Sequence, residues 1–233
     1  MERQRSGGKC LSISLGVIMT AVVSLAGRST YRVGVASPVG QGPSEAAQNV
    51  DALPPSGTYK IDPEHAFAYF SAWHHFVGRV RGRFDRVTGS IEAAQDPAAC
   101  SVAVTIDISS LSTQVKERDD DLLSAAYFDV EKFPSMTYRG KGLHRLADGT
   151  WRMDGSLSLH GVTKAVPLTI TYRGSFPRKK PQDPIRAAFH ASAAVKRADF
   201  GMGARDNLDE VGLSPAADVE IEIDVEADAV SHT

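Results

Sequence analysis

The chain has 233 residues, of which 42% are hydrophobic and 23% charged, and its formal net charge is −2. This length and composition suit one globular domain with an extension, and they exclude collagen-like and low-complexity sequences. A charge so close to zero gives no reason to expect a nucleic-acid partner.

The first segment, residues 1–36, has the pattern of a secretory signal. Three basic residues precede an uncharged apolar run from residue 11 to 26, and small residues end two plausible cleavage sites, near residues 26 and 36. An uncleaved membrane anchor is the alternative, because the run approaches the length that spans a bilayer. We therefore expect a periplasmic or secreted protein.

Residues 37–57 are rich in Pro, Gly, Ser and Ala, lack periodicity and are typical of a flexible linker. The folded domain is then expected over residues 58–230. Cys100 would be its only cysteine once the signal is removed, so the domain must fold without an internal disulfide.

Alternation of apolar and polar residues with a period of two dominates this domain. It is clearest near the C-terminus, where Val219, Ile221, Ile223 and Val225 alternate with acidic residues. The segments 102–108, 151–160 and 185–195 show the same pattern. One apolar and one polar face per strand is typical of an antiparallel sheet. About seven or eight such strands favour closure into a small barrel.

Residues 116–134 break the alternation. Leu122, Leu123, Ala126 and Tyr127 are spaced as on a helix, and the acidic run 119–121 favours a helix N-terminus. We expect one short helix that lies over the barrel, with a structured loop as the alternative.

The segment 157–168, LSLHGVTKAVPL, is interpreted as a β-hairpin rather than as an active site. Gly161 would make the bend, and Val162, Val166 and Leu168 resume the alternation on the return strand. His160 would point outward at the strand end.

Several motif blocks occur in a fixed order along the domain. They are residues 59–65 (YKIDPEH), His74 with 80–84 (VRGRF), 106–113 (IDISSLST), 118–134 (RDDDLLSAAYFDVEKFP), 155–164 (GSLSLHGVTK) and 196–201 (KRADFG). Together these blocks resemble the YceI-like family of exported, polyisoprenoid-binding barrels with a lipocalin-like shape. Three residues depart from the family pattern: Ala66, Asp121 and Ala165 stand where serine, histidine and proline are common.

The resemblance implies an all-β, antiparallel, eight-stranded lipocalin-like barrel with one short helix. It also implies binding of a polyisoprenoid chain, free or carried by a quinone or a pyrophosphate. Small inward residues would leave space for such a chain, although they would equally let strands and helix approach closely. The residues expected to line the cavity are Ala68, Phe70, Ala72, His74, Phe84, Val104, Ile106, Ile108, Leu122, Phe128, Leu157, Leu159, Ala187, Phe189 and Ala191.

Nothing in the sequence points to catalysis. The zinc-protease, dithiol and serine-hydrolase motifs HExxH, CxxC and GxSxG are missing from the chain. His74 and His75 are adjacent on a strand, so they point to opposite faces and cannot readily share a metal. We expect no enzyme activity, no metal and no cofactor. The alternative function is a non-catalytic interaction or stress-response barrel with a filled core.

Surface residues suggest further partners. Phe67, Tyr69 and Trp73 would face outward and mark a homodimer interface or a transient membrane contact, unless the helix or the linker covers them. Arg79, Arg81 and Arg83 share one face of a strand, where they are solvated or attract an anionic lipid head group.

Overall fold

A computed structural model describes residues 53–74, 78–176, 180, 183–202 and 218–230. These residues belong to the unit Glu45–Thr233. The expected signal segment and most of the expected linker lie outside the described residues, so both stay predictions. No helix within the described part of the chain is long and apolar enough to cross a membrane.

Within the described residues, eleven β-strands form one antiparallel sheet. Their bounds are β1 Gly57–His74, β2 Gly78–Phe84, β3 Val87–Ala93, β4 Ser101–Asp107, β5 Leu111–Ser112, β6 Ser135–Arg145, β7 Trp151–Leu159, β8 Val162–Ala165, β9 Leu168–Phe176, β10 Arg186–Lys196 and β11 Asp218–Ala229. The described helices are α1 (Lys116–Leu123) and three short 3-10 helices, Pro97–Ala99, Ile108–Ser110 and Arg197–Phe200.

Eight of these strands close into a ring. The order around it is β1, β3, β4, β6, β7, β9, β10 and β11, and β11 pairs again with β1. On one side of β1, β3 pairs with its first residues and β2 with its last, while β8 pairs with the end of β7. Closure gives partners to backbone groups that an edge strand would leave unpaired. The predicted antiparallel eight-stranded lipocalin-like barrel is confirmed.

Strand β1 carries a bulge that changes which of its residues face inward. Tyr59 and Ile61 are buried, the register with β11 shifts between Ile61 and Ala66, and Ala66 and Ala68 are then buried. Because side chains alternate with a period of two, the inserted residues move the inward face from odd to even numbers. The second half of β1 therefore presents Ala68, Phe70 and Ala72 to the interior, as predicted.

The predicted short helix is present but ends earlier than the apolar spacing suggested. Helix α1 includes Leu122 and Leu123, whereas Tyr127 lies in the turns that follow. The helix stops because Ser124 adopts an extended conformation (φ −66°, ψ 170°). The carboxylate of Asp119 accepts hydrogen bonds from the backbone N–H and the hydroxyl of Thr113, at 2.8 and 2.5 Å, which ties α1 to the end of β5.

The predicted hairpin between β7 and β8 is confirmed. Its two turn residues, His160 and Gly161, have φ of 52° and 77°, as a two-residue type I′ turn requires. His160 borders neither chamber, but it is half-buried rather than free at the strand end, because its Nδ1 donates to the carbonyl oxygen of Phe200 at 3.1 Å. Its ring also packs edge-on against Phe133, with centroids 4.8 Å apart. The histidine thus anchors the turn to the neighbouring 3-10 helix.

Candidate ligand cavity

The barrel interior contains a cavity of about 330 Å³ at the end that α1 covers. We call it the upper chamber. Its wall is mostly apolar, with residues from every strand of the ring except β3. The predicted cavity residues on this wall are Ala68, Phe70, Ala72, Phe84, Val104, Ile106, Leu122, Phe128, Leu157 and Leu159.

Small side chains create the space in the upper chamber. Ala68 and Ala72 on β1 and Ala193 on β10 all lie on its wall. A leucine or a phenylalanine at any of these positions would reach into the volume that the alanine methyl group leaves empty. In a closely packed interior, a cavity of this size arises where the inward side chains are small.

Three phenylalanine rings close the side of the upper chamber next to α1. Phe84 from β2 contacts both Phe70 and Phe128, with centroids 5.7 Å apart in each pair. Phe128 follows α1 in the chain and meets Phe84 edge-on. The aromatic contacts therefore hold the segment after α1 against the barrel wall.

A second, smaller cavity of about 90 Å³ lies further along the interior, and we call it the lower chamber. Its wall is mostly apolar, and it includes Trp151, Met153 and the predicted cavity residues Phe189 and Ala191. Val104 borders both chambers.

Three of the predicted cavity residues are not placed on either chamber wall: two lie in the packed core, and the side chain of the third is outside the described residues. Ile108 and Ala187 are fully buried and belong to the packed core, where they border neither chamber. Ile108 begins a 3-10 helix, so it leaves the strand alternation of β4. Ala187 pairs with Ala227 where the barrel interior is filled. The backbone of His74 pairs with Gly78, but its side chain is outside the described residues.

Polar groups lie on part of the upper chamber wall. Arg118 and Asp121 come from α1, Tyr127 from the turns after it, and Arg197 from the 3-10 helix that follows β10. The Arg118 guanidinium donates to the hydroxyl of Thr113 at 2.7 Å and to its carbonyl oxygen at 3.1 Å. A chamber with apolar walls and polar groups on the α1 side suits an amphipathic guest.

Of these four residues, Asp121 stands where the family commonly has histidine, and the resemblance placed it near a ligand head group, whereas Arg118, Tyr127 and Arg197 were not predicted to line the cavity. Arg118 lies four positions before Leu122, so the two share one helix face, and that spacing is the signal that would have found Arg118. For Arg197 the sequence holds no comparable signal, because its position depends on how the 3-10 helix turns back over the barrel.

Tyr138 is the most strongly perturbed titratable group on the upper chamber wall. It is 6% exposed, and its hydroxyl donates to the carbonyl oxygen of Val166 at 3.0 Å. Burial, reinforced by the charge of Asp154, raises the pKa of its phenol to about 12. The group is therefore a neutral donor at neutral pH.

The arginine row on β2 lies on the outside of the barrel. Arg79 pairs with Glu220 on β11, and Arg83 pairs with Asp85 at 2.7 Å and packs over the ring of Phe67. Arg81 is exposed. These contacts place the three arginines on the outer surface rather than in the upper chamber. The prediction that they attract an anionic head group therefore concerns the outer surface and not the cavity.

The described histidines also lie away from both chambers. His65 pairs with Asp62 at 2.9 Å and His190 with Asp224 at 2.8 Å, both on the outer surface. Asp62, Glu64 and His65 come within 4.8 Å of one another, but the guanidinium of Arg186 contacts Asp62 at 2.9 Å and supplies the positive charge there.

A closed antiparallel barrel with an apolar interior chamber and polar groups at the helix-covered end defines a lipocalin-like barrel. The YceI-like domain model matches residues 59–227. The chain therefore belongs to the YceI-like domain family, and the resemblance found in its motif blocks is confirmed.

Relatives and solved structures agree with this assignment. A protein named UPF0312 from Pseudomonas aeruginosa is 35% identical over 172 residues, which is 72% of this chain and 85% of the relative. The crystal structure of a Campylobacter jejuni YCEI protein is similar at a TM-score of 0.55 and 26% identity, over 66% of this chain and 88% of that one. A polyisoprenoid binding domain from Saccharophagus degradans shares the fold at a TM-score of 0.54 and 16% identity, over 74% and 98% of the two chains.

Proposed function

We propose that the protein binds the apolar tail of an amphipathic lipid of the polyisoprenoid or isoprenoid quinone class in its upper chamber. The observation that carries the proposal is the chamber itself, about 330 Å³ of interior space with a wall that is mostly apolar. This volume is within the range of small-molecule sites. The fold shared with a domain described as polyisoprenoid binding supports the same class of ligand.

The physical basis of binding is burial of hydrocarbon. Each CH₂ group that moves from water into the chamber contributes roughly 0.8 kcal/mol, so a tail of several isoprene units gains affinity without any directed polar contact. The alanines on β1 and β10 supply the room for the tail.

Polar residues on the α1 side would orient the head group. Arg118 and Arg197 carry positive charge there, while Tyr127 and Asp121 offer hydrogen-bonding oxygens. This arrangement suits an oxygen-rich head group such as a quinone or a phosphate ester.

The activity that follows is sequestration or transport of the lipid rather than its turnover. The described chamber wall contains no histidine, and its polar groups do not form a nucleophile paired with a base. We propose no cofactor and no catalytic residue. We also place the protein in the periplasm or outside the cell, on the pattern of its first 36 residues.

The test is to purify the full chain, extract it with organic solvent and identify the extracted species by mass spectrometry. Recovery of an isoprenoid lipid, together with uptake of a fluorescent farnesyl probe, is the expected result. Repeated recovery of no lipid and no uptake of the probe would contradict the proposal. It would favour the alternative, an interaction or stress-response barrel that acts through its surface.

Homodimer formation and transient membrane contact remain proposals. Of the three aromatic residues expected to face outward, Tyr69 and Trp73 also border the upper chamber. Trp73 is 45% exposed on β1, and the Arg79 guanidinium lies 5.1 Å from its ring centroid. An aromatic ring beside a cationic group is suited to a membrane interface. Analytical ultracentrifugation tests the dimer, and co-sedimentation with anionic vesicles tests the membrane contact.

A further inference from the structure

The upper and lower chambers meet inside the barrel. Val104 from β4, Leu168 from β9 and Ile223 from β11 lie on the walls of both. These three strands are spread around the ring, so their shared residues mark the level at which one chamber ends and the other begins.

Tyr138 occupies this level from a fourth strand, β6. It pairs with Val104 across the β4–β6 ladder, and its hydroxyl reaches the carbonyl oxygen of Val166. The ring lies over Gly155, where an added Cβ atom would come within 2.2 Å of the Tyr138 hydroxyl oxygen. Only a glycine leaves room for the ring in this position.

The side chains of Tyr138 and Met153 approach each other over Gly140. An added Cβ at Gly140 would lie 3.0 Å from Cε1 of Tyr138 and 2.7 Å from Sδ of Met153. Tyr138 lines the upper chamber only, whereas Met153 lines the lower chamber only. The tyrosine ring is therefore part of the floor of the upper chamber.

The sizes of the chambers give them different roles. A dry apolar cavity of about 150 Å³ is enough to hold benzene. The upper chamber, at about 330 Å³, exceeds this size, whereas the lower chamber, at about 90 Å³, falls below it. The lower chamber is thus too small to be a separate site, and it has room only for the end of a tail that passes an opened floor.

We propose that Tyr138, with Val104, Leu168 and Ile223, limits how deeply a lipid tail enters and so sets the preferred tail length. This inference rests on the proposed function. The protein then selects isoprenoid amphiphiles whose apolar part fills the upper chamber, and the lower chamber receives longer tails only when the floor is opened. Tyr138 is a specificity-determining residue in this scheme.

The test measures affinity along a series of prenyl alcohols, namely geraniol, farnesol, geranylgeraniol and solanesol, by displacement of a fluorescent farnesyl probe from the full chain. Each CH₂ that becomes buried should tighten binding about fourfold, and additional carbons that stay outside the chamber should add nothing. The wild-type affinity should therefore rise and then reach a plateau within the series. Tyr138→Leu should move the plateau to longer alcohols and tighten geranylgeraniol at least about tenfold relative to wild type.

Two further variants keep the test decisive. Val104→Ala opens the same level with a smaller structural change, so it should move the plateau in the same direction even if Tyr138→Leu folds poorly. The double variant Tyr138→Leu/Ala191→Leu fills the lower chamber from its own wall and should return the plateau to the wild-type length.

Trp151 gives a second readout of tail depth, because it lies on the lower chamber wall. A farnesol or geranylgeraniol analogue with a bromine at the far end of its tail should quench the buried tryptophan emission in Tyr138→Leu. It should not quench that emission in the wild type.

Two results would overturn the inference. If wild-type affinity keeps rising through solanesol and the variants do not change the profile, the tail-length limit is wrong while the proposed lipid binding stands. If none of the alcohols displaces the probe, or the probe does not bind at all, the proposed function fails and the limit fails with it.

Discussion

The two ends of the barrel interior are built on the same closed sheet and differ in the size of the side chains that point inward. At the upper end, Ala68, Ala72 and Ala193 leave a chamber of about 330 Å³. At the lower end, Tyr59 and Trp151 are buried, and the remaining space is about 90 Å³. Closure of the sheet fixes the backbone, so side-chain volume alone decides where the barrel is hollow.

The two ends of the barrel also differ in the contacts on their outer surfaces. At the lower end, Arg186 on β10 joins Asp62, Glu226 and Asp228 at 2.8 to 3.2 Å, and these contacts connect β1, β10 and β11. At the upper end, the chamber is bordered by α1 and the turns after it. The lower end is therefore organised for stability and the upper end for access.

The largest expected effect comes from filling the upper chamber. Ala193→Leu adds three carbons to its wall, which excludes about three CH₂ groups of a tail and should weaken binding of the fluorescent farnesyl probe about 50-fold. Fluorescence titration measures this change. Ala194→Leu is the matched control, because Ala194 is exposed on the opposite face of the same strand.

Ala191→Leu sharpens the comparison, because it places the same side chain on the wall of the lower chamber. Its effect on the farnesyl probe should be much smaller than that of Ala193→Leu. Equal losses for the two variants would show that the ends of the interior do not differ in function.

A second prediction concerns the close approach between the chambers. Gly155→Ala would place a Cβ 2.2 Å from the Tyr138 hydroxyl oxygen and 2.7 Å from the backbone oxygen of Arg139. Because neither the buried ring nor the strand can move freely, the free energy of unfolding should fall by about 2 kcal/mol. Urea denaturation measures it. Ser156→Ala on the same strand should stay within about 0.5 kcal/mol of wild type, and equal effects would contradict the steric argument.

The third prediction tests the lower end as a structural element. Arg186→Met keeps much of the apolar stem but leaves three carboxylates facing one another without their shared cation, so the free energy of unfolding should fall by about 1 kcal/mol. Thermal unfolding at low and moderate salt measures the loss, which salt should reduce. Weaker probe binding at unchanged stability would contradict the separation between the two ends.

The smallest expected effect concerns the ionisation of Tyr138, which changes the stability of the protein only at alkaline pH. Its pKa is raised by burial to about 12 from an ordinary value of 10.0, so the folded state holds the phenol proton more tightly than the unfolded state. The resulting stability is fully present below pH 10 and is lost as pH rises towards about 12. Urea denaturation on both sides of pH 10 should show a steeper decline in wild type than in Tyr138→Phe.

Tyr59 does not confound this comparison. Burial also raises the pKa of Tyr59, and that contribution is common to wild type and variant. If the free energy of unfolding declines equally steeply in wild type and Tyr138→Phe, then the pKa of Tyr138 is the same in the folded and the unfolded state.

Most of the fold was predictable from periodicity. The alternation of Val219, Ile221 and Ile223 with acidic residues defines β11 and its inward face, and His160-Gly161 defines a turn, because both signals are local. The bulge of β1 was not predictable from alternation, since the shift at Ile61 and Ala66 depends on pairing with β11.

The candidate site was predictable only in part. Residues such as Ala68 and Leu157 followed from strand alternation and from the family resemblance, and they lie on the upper chamber wall. Their role as ligand contacts stays a prediction. Arg197 and the division of the interior at Tyr138 were not foreseen, because they depend on which residues meet across the barrel.

By itself, the sequence determined the strands, their apolar faces, the hairpin turn and the family, because each depends on neighbours within a few positions or on ordered local motifs. Only the tertiary structure decided how β1 changes face, where the interior is hollow and which side chain divides it. The physical reason is that a cavity is the volume left over when side chains from distant strands meet, and no local pattern records that difference.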